Sequence, residues 1–162
     1  MTQNFYLVLP NIRSCHNVGA LFRTADACGV TKIFLVGYTP QPPRKEIDKV
    51  ALGAETWVPW EHKRYLKSLV SRLKKEGVYV IGLEKNSQSV DIGNFTLPKE
   101  RDIAFIVGNE VDGIRAEILK LCDVVTHIPM HGRKESLNVS VAAGIGMYVV
   151  SRQVLRSKEG RD

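Results

Sequence analysis

"HIPMHGRKESLNVSVAAGIGMYVV", residues 127–150, decides how the C-terminal half of this chain is organised. A short apolar strand ends at a proline, a polar loop follows, and a helix that is apolar on nearly every side comes next. Such a helix is expected to be buried in the core, in a subunit interface, or in both. Its start carries Ser136, Asn138 and Ser140, although one side chain is enough to cap a helix. The surplus of polar groups favours a ligand bound at the helix start.

Upstream of this segment, apolar runs alternate with helical patterns, which predicts an α/β fold with a mostly parallel sheet flanked by helices. The expected strands are 5–9, 32–36, 78–83, 103–107 and 124–128, and the expected helices are 17–28, 62–75, 114–121 and 137–155. Asn17 is expected at the N-cap of the first helix, and Gly29 just beyond its last turn. The stretches between, 37–56 and 84–102, are expected to be irregular. No repeat or linker divides the chain, so residues 1–162 are expected to form a single domain.

The composition is that of an ordinary globular protein with an excess of positive charge. Hydrophobic residues make up 44% of the chain, charged residues 25%, and the net charge is +6. No apolar run reaches the ~18 residues that suggest a membrane span, and the first ten residues lack the pattern of a signal peptide. The three cysteines, which lack metal-ligand spacing, are expected to be reduced thiols of a cytoplasmic protein without a metal site.

The positive charge favours a polyanionic partner. Six Lys or Arg residues stand against two Glu within residues 61–76. The alternative for this segment is the solvated face of an amphipathic helix, with its apolar stripe packed on the core.

Three polar segments that contain glycine follow expected strands and should therefore meet at the carboxyl edge of the sheet. They are "PNIRSCHNVGALFRTADACG" after the first strand, "GNEVDG" after residues 103–107 and "PMHGRKESLN" after residues 124–128. In the first, Arg13, His16 and a helix start suit a phosphate group. In the second, glycines permit a tight backbone, and Glu110 and Asp112 are expected near the first turn of the next helix. The chain has neither a P-loop nor a GxGxxG after its first strand.

Together these segments resemble the SpoU/TrmH family of the SPOUT RNA methyltransferases. The resemblance rests on "NVGALFRTADACG", "IVGNEVDG" and "IPMHGRKESLNVSVAAG" in the family's order, and on "KVALGAETWVP" at 49–59. Some relatives carry an N-terminal RNA-binding domain, but here the first expected strand begins within a few residues of the start, so no separate RNA-binding domain is expected. The resemblance implies methyl transfer from S-adenosylmethionine to a ribose 2′-hydroxyl of tRNA or rRNA. It also implies a homodimer and a C-terminal trefoil knot that forms the cofactor pocket, although protein chains are otherwise almost never knotted.

The resemblance assigns roles to individual residues. The expected catalytic residues are Arg23, Asn17, Glu110, Ser136 and Asn138, the expected cofactor-binding residues are Leu83, Gly108, Asn109, Ile128, Met130 and Leu137, and the expected RNA-binding residues are Arg13, His16, Arg44 and Lys45. Because a guanidinium stays protonated at ordinary pH, Arg23 is expected to bind an RNA phosphate and stabilise the developing alkoxide, not to act as a general base.

Other functions remain open for this sequence. A methyltransferase of the same fold could act on a base, although Arg23 within the first motif favours ribose. A catalytically silent RNA-binding protein and a small-molecule-binding α/β protein are the remaining alternatives.

Overall fold

A computed structural model describes residues 2–159, whose strands form one seven-stranded sheet. The strands are β1 (Phe5–Pro10), β2 (Lys32–Val36), β3 (Trp60–Lys63), β4 (Tyr79–Leu83), β5 (Val90–Asp91), β6 (Ile103–Val107) and β7 (Val124–His127). Their order is β3-β2-β1-β6-β4-β7-β5, and every pairing is parallel. The predicted parallel sheet is therefore confirmed.

Helices cover both faces of the sheet. They are α1 (Cys15–Ala27), α2 (Lys45–Ala51), α3 (Ala54–Trp57), α4 (Leu66–Lys75), α5 (Ala116–Leu119) and α6 (Val139–Glu159). One apolar core lies between the sheet and α1, α2, α3 and α6, and a second lies between the sheet and α4 and α5. The central strand β6 is buried along its whole length, which explains its uninterrupted apolar sequence. Across residues 2–159, no helix is long and apolar enough to cross a membrane.

Four elements within the expected loops and helices were not predicted. The predicted helix 62–75 begins only at Leu66, because residues 60–63 instead form β3 and pair with β2. This strand is short and carries charged side chains, so its identity depends on pairing with β2 and not on local preference. The prolines made 37–56 look irregular, yet α2 and α3 bury apolar side chains there. The stretch 84–102 contains β5, whose two residues leave no readable pattern.

The ends of the helices also differ from prediction in part. Asn17 is not an N-cap: α1 begins earlier, and the Ser14 hydroxyl caps it by accepting a hydrogen bond from the Asn17 amide. Gly29 does follow the helix with φ +68°, as predicted. Because α5 begins at Ala116, Glu110 does not lie in its first turn. The start of α6 is capped by Asn138, whose side-chain oxygen accepts hydrogen bonds from the Ser140 amide at 2.9 Å and the Ser140 hydroxyl at 2.6 Å.

Helix α6 packs against the sheet, against α1 and against residues 84–102. A β-carbon at Gly146 would collide with the Phe105 ring, so the glycine permits close packing on the sheet. Toward residues 84–102, Gln153 donates a hydrogen bond to the Phe95 carbonyl and accepts one from the Leu97 amide. A third face is exposed and apolar, with Val141, Ile145, Tyr148 and Leu155 between 40% and 61% exposed. The predicted burial of α6 is thus confirmed for its core face only.

Candidate functional site

The three predicted segments meet at the carboxyl edge of the sheet. The Asn17 side-chain amide donates a hydrogen bond to Glu110 at 3.1 Å, and the Asn17 side-chain oxygen accepts one from the Asn138 amide at 3.3 Å. These residues come from α1, from the turn after β6 and from the start of α6. They lie beside the neighbouring strands β1 and β6, where the order of the strands along the chain reverses. That is the usual place for a ligand in an open parallel sheet.

Glu110 is held as a carboxylate by directed hydrogen bonds. Both of its side-chain oxygens accept from the Arg13 backbone amide, at 3.2 and 3.3 Å, and one also accepts from Asn17. Partial burial alone would raise the pKa of Glu110, but hydrogen bonds from its own amide, from Arg13, from Asn17 and from Ser14 lower the pKa below its ordinary value. The charged carboxylate therefore ties the turn after β6 to the start of α1.

A cavity opens next to this network, between the ends of β4 and β6 and the segment that links β7 to α6. Its apolar lining includes most of the side chains predicted to contact a cofactor: Leu83, Ile128, Met130 and Leu137, together with Val107, Gly108, Val139 and Ala142. Ser136 lines it as well, as do the charged or titratable side chains of Glu84, Lys85, His127 and Glu135. The cavity thus combines an apolar wall with a polar rim, which is typical of a site for a small organic ligand.

The linking segment offers backbone groups to whatever occupies the cavity. From residue 129 to residue 137, all of which the structure describes, no backbone amide or carbonyl is hydrogen-bonded to another part of the protein. Pro129 and Met130 are half-buried, and residues 131–137 are exposed. The backbone groups of this segment are thus accessible and not used elsewhere in the described structure, so they are available to a ligand.

The turn after β6 is tightly packed at Gly108. A β-carbon there would lie 2.7 Å from the Gly113 backbone, so a larger residue would displace one of the two strands of the turn. Glu84 fixes the far side of the turn, since its carboxylate accepts the Ile114 amide at 2.8 Å and lies against Gly113. Glu84 was missed by the sequence analysis, although its place directly after β4 puts it at the same sheet edge.

The structure does not bring every predicted residue into the site. Asn109 does not line the cavity: its side-chain oxygen accepts the backbone amides of Val111 and Asp112 and so shapes the turn. Arg23 lies farther along α1, exposed, and about 9 Å along the helix axis from Asn17. Within residues 2–159, its guanidinium makes no hydrogen bond or ion pair.

The predicted RNA-binding residues are all exposed. Arg13 and His16 flank the start of α1, next to Glu110, and Arg44 and Lys45 lie at the start of α2. The three cysteines are free thiols. In the described part of the chain, no group of His, Cys, Asp and Glu side chains is arranged to hold a metal ion.

With this geometry in place, the similarities to known proteins are specific. The model of the SpoU rRNA Methylase family matches residues 4–148. Over 153 residues, the chain is 36% identical to RlmB of Neisseria meningitidis, a 23S rRNA (guanosine-2′-O-)-methyltransferase, in a match that covers 94% of this chain and 60% of that protein. The chain thus spans about 60% of the length of the curated relatives it matches.

Solved structures agree. An AdoMet-bound rRNA methyltransferase from Sinorhizobium meliloti is similar with a TM-score of 0.85 and 27% identity, over 94% of this chain and 57% of the other. The TrmH/SpoU tRNA modifying enzyme of A. aeolicus has a TM-score of 0.84 and 28% identity, over 98% of this chain and 78% of the other.

Proposed function

The chain belongs to the SpoU rRNA Methylase family, and on that premise we propose that it transfers a methyl group from S-adenosylmethionine to a ribose 2′-hydroxyl of tRNA or rRNA. The observation that carries the proposal is the junction of three segments distant along the chain, through Asn17, Glu110 and Asn138, beside a cavity lined by Gly108 and Leu137.

The cavity suits the proposed cofactor. When bound, S-adenosylmethionine supplies an activated methyl group on a sulfonium. The apolar side chains of Leu83, Ile128 and Leu137 provide a wall for an adenine ring, and the backbone groups of residues 129–137 are available to its polar edge. The rim carries two carboxylates, Glu84 and Glu135, and one ammonium, Lys85, so its excess of negative charge favours a ligand that carries positive charge. Asn109 would contribute through its backbone only, because its side chain is occupied in the turn.

The hydrogen bonds of Asn17 with Glu110 and Asn138 fix the segments around the proposed reaction centre relative to one another. The Asn17–Glu110 bond joins α1 to the turn after β6, and the Asn138–Asn17 bond joins the start of α6 to α1, so loss of the second would let the start of α6 move relative to α1. Ser136 lines the cavity two residues before Asn138 and is the proposed polar contact from that side. Fixed geometry of this kind matters because positioning dominates the rate of a direct transfer between two bound groups.

Arg23 is the proposed partner of the RNA. Its guanidinium is exposed and has no partner within residues 2–159, so it is free to bind a phosphate next to the target ribose in bidentate fashion. In that position it would stabilise negative charge that develops on the ribose oxygen. A guanidinium does not give up its proton, so the 2′-hydroxyl proton would pass to the phosphate or to water.

We further propose that the chain forms a homodimer with a C-terminal trefoil knot. The exposed apolar face of α6 supports the dimer, because such a stripe is typical of a subunit interface. The contacts of α6 with Phe105 of β6 and with residues 84–102 support the knot, because a knotted C-terminal segment packs against the loop that it passes through.

We propose that exposed cations take part in RNA capture. The Arg13 backbone amide contacts Glu110, His16 lies in the first turn of α1, and Arg44 and Lys45 lie at the start of α2, all with exposed side chains. Free cysteines suit a reducing compartment, so we propose that the protein acts in the cytoplasm.

The test is methyl transfer itself. The purified protein is incubated with methyl-labelled S-adenosylmethionine and with tRNA or rRNA from cells that lack the gene, and the digested nucleosides are identified by mass spectrometry. Label in 2′-O-methylated nucleosides is expected, at a position that sequencing of cellular RNA with and without the gene should also reveal. Label in a methylated base would instead support the base-directed alternative. RNA binding without cofactor binding would mean a catalytically silent protein.

A further inference from the structure

Two exposed tyrosines line one cleft that the proposed reaction does not use. Tyr38 follows β2 and Tyr65 follows β3, so both lie at the carboxyl edge of the sheet, and they are 57% and 61% exposed. Large aromatic rings with so little packing contribute little to the core. Their common position suggests a ligand.

The position of Tyr38 is fixed by its backbone. The turn before it has Gly37 at φ +65°, and a β-carbon at Gly37 would collide with the Asn11 side chain. The Asn11 side-chain oxygen accepts the Tyr38 amide at 3.2 Å, and a ring nitrogen of His62 lies 2.9 Å from the Gly37 carbonyl oxygen. The ring is therefore presented by a rigid turn.

Tyr65 is presented with a cation already on its ring. It directly precedes α4, and the Arg64 guanidinium carbon lies 5.2 Å from the ring centroid. This pair is shared between the cleft and a smaller groove along the first turns of α4.

Positive charge predominates around the two rings. The cleft and the groove are lined by five cationic side chains and two anionic ones: Lys63, Arg64, Lys67, Arg72 and Arg115 against Asp112 and Glu117. Three of the cations form ion pairs: Lys63 with Glu61, Lys67 with Glu117 at 3.7 Å and Arg72 with Glu76 at 3.6 Å. Arg64 and Arg115 have no ion pair within residues 2–159. Aromatic faces beside unpaired guanidinium groups are the combination that binds single-stranded nucleic acid.

The turn after β6 separates the cleft from the candidate site. Asn109 and Asp112 of this turn line the cleft, whereas Gly108 of the same turn lines the cofactor cavity and Glu110 belongs to the candidate site. A strand of RNA whose target nucleotide lies at Glu110 can thus extend along the carboxyl edge toward β2 and β3.

We propose that this cleft binds an unpaired nucleotide that flanks the target, with its base stacked on Tyr65 or Tyr38 and its phosphates at Arg64 and Arg115. The inference rests on the proposed function and specifies its substrate: RNA that is single-stranded next to the methylated ribose. Paired RNA hides the faces of its bases, so a duplex cannot make this contact.

The test measures the binding of a fluorescein-labelled single-stranded oligoribonucleotide of about twelve nucleotides by anisotropy, without cofactor. At least one of Tyr65→Leu and Tyr38→Leu should weaken binding about tenfold, and the phenylalanine variant at the same position should bind like the parent, because it keeps the aromatic face. Arg64→Ala should weaken binding and lower the salt slope by about 0.7. Lys75→Ala is the matched control for Arg64→Ala, because it removes a cation at the end of α4 that lines neither the cleft nor the groove.

Each outcome bears on the inference. The inference would be overturned if both leucine variants bound the oligonucleotide like the parent, or if the parent did not bind it. It would also be overturned if the leucine variants lost as much affinity for a duplex of the same sequence as for the single strand. Unchanged thermal unfolding of the leucine variants will exclude a folding defect. If a leucine variant weakens oligonucleotide binding but the parent transfers no methyl group, the proposed function is wrong and the proposed nucleotide-binding cleft is retained. If methyl is transferred and the leucine variants leave both oligonucleotide binding and the KM for RNA unchanged, the cleft alone fails.

Discussion

Replacement of Asn17 tests whether one buried amide joins the three segments of the site. Asn17 is only 7% exposed, donates to Glu110 and accepts from Asn138. Asn17→Ala removes both hydrogen bonds. Asn17→Asp keeps the shape but replaces the donor to Glu110 with a second acceptor that carries charge.

The expected cost of Asn17→Ala follows from the two bonds. The bond to the Glu110 carboxylate is charge-assisted but partly exposed, so it contributes about 1.5 kcal/mol, the low end for such bonds. The 3.3 Å bond to Asn138 is long and neutral and contributes about 0.5 kcal/mol. The sum of about 2 kcal/mol corresponds to a fall in Tm of roughly 4–8 °C for a domain of this size. Asn17→Asp adds repulsion between two carboxylates and should cost about 1–2 kcal/mol more at neutral pH.

The two variants should differ in how their costs depend on pH. In the parent protein, the lowered pKa of Glu110 means that its contribution is present above the unfolded-state pKa and is lost as pH falls through the folded-state pKa. In Asn17→Asp, the neighbouring charge raises the pKa of one carboxyl of the pair, so the added cost is relieved as pH falls and a proton is shared. Between about pH 7 and pH 5, the cost of Asn17→Asp should therefore shrink while that of Asn17→Ala stays level.

The assay is thermal or urea unfolding of the parent and both variants at matched ionic strength across that pH range. Parallel pH profiles for the two variants would refute the reasoning, because they would mean that the side chain at position 17 does not face the Glu110 carboxylate. If the free energy of unfolding of Asn17→Ala lay within about 0.5 kcal/mol of the parent's, as for an ordinary surface substitution, the two hydrogen bonds would be refuted.

Three further predictions concern the cofactor, the RNA and the dimer. Arg23→Lys should lower methyl-transfer turnover by about 100-fold while the cofactor Kd, measured by calorimetry, is unchanged; turnover near the parent's would exclude bidentate binding as the reason for the arginine. Gly108→Ala should lower the free energy of unfolding by about 1–3 kcal/mol and weaken cofactor binding, because its β-carbon meets the Gly113 backbone at 2.7 Å; Gly132→Ala, where nothing lies within 4 Å, is the stability control. Ile145→Lys, in the exposed stripe of α6, should give a monomer in light scattering, and a dimer of unchanged stability would place the interface elsewhere.

The central strands and the long helices α1 and α6 could be predicted because buried positions in them are apolar at a regular spacing along the sequence. The strand "IAFIV" is apolar at every position because both faces of β6 are covered. The apolar face of α1, with Val18, Leu21 and Phe22, is fully buried as its spacing indicates. The strand β3 could not be predicted, since its partner β2 lies far along the chain and its own residues carry no strand pattern.

The site shows the same limit. Polar residues after strands predicted that Glu110 and Asn138 would lie at one edge of the sheet, because parallel strands end there, and in the structure both contact Asn17. The prediction that Asn17 caps α1 was wrong. An Asn early in a helix looks the same in sequence whether it caps the helix or donates a hydrogen bond to a distant carboxylate. Glu84 and the two tyrosines were missed because each has a function only through neighbours that the tertiary structure supplies.

Leu137 connects the two unusual properties of the last helix. Its side chain lines the cavity that we assign to the cofactor, is 38% exposed, and lies two residues before α6 begins. The spacing of Val141, Ile145 and Tyr148 places these exposed apolar residues on one side of α6. The proposed ligand site and the proposed subunit contact therefore follow each other directly along the chain. A helix that is apolar nearly all round yet begins with polar groups suits this arrangement, because its start meets a polar ligand while two of its faces bury apolar surface.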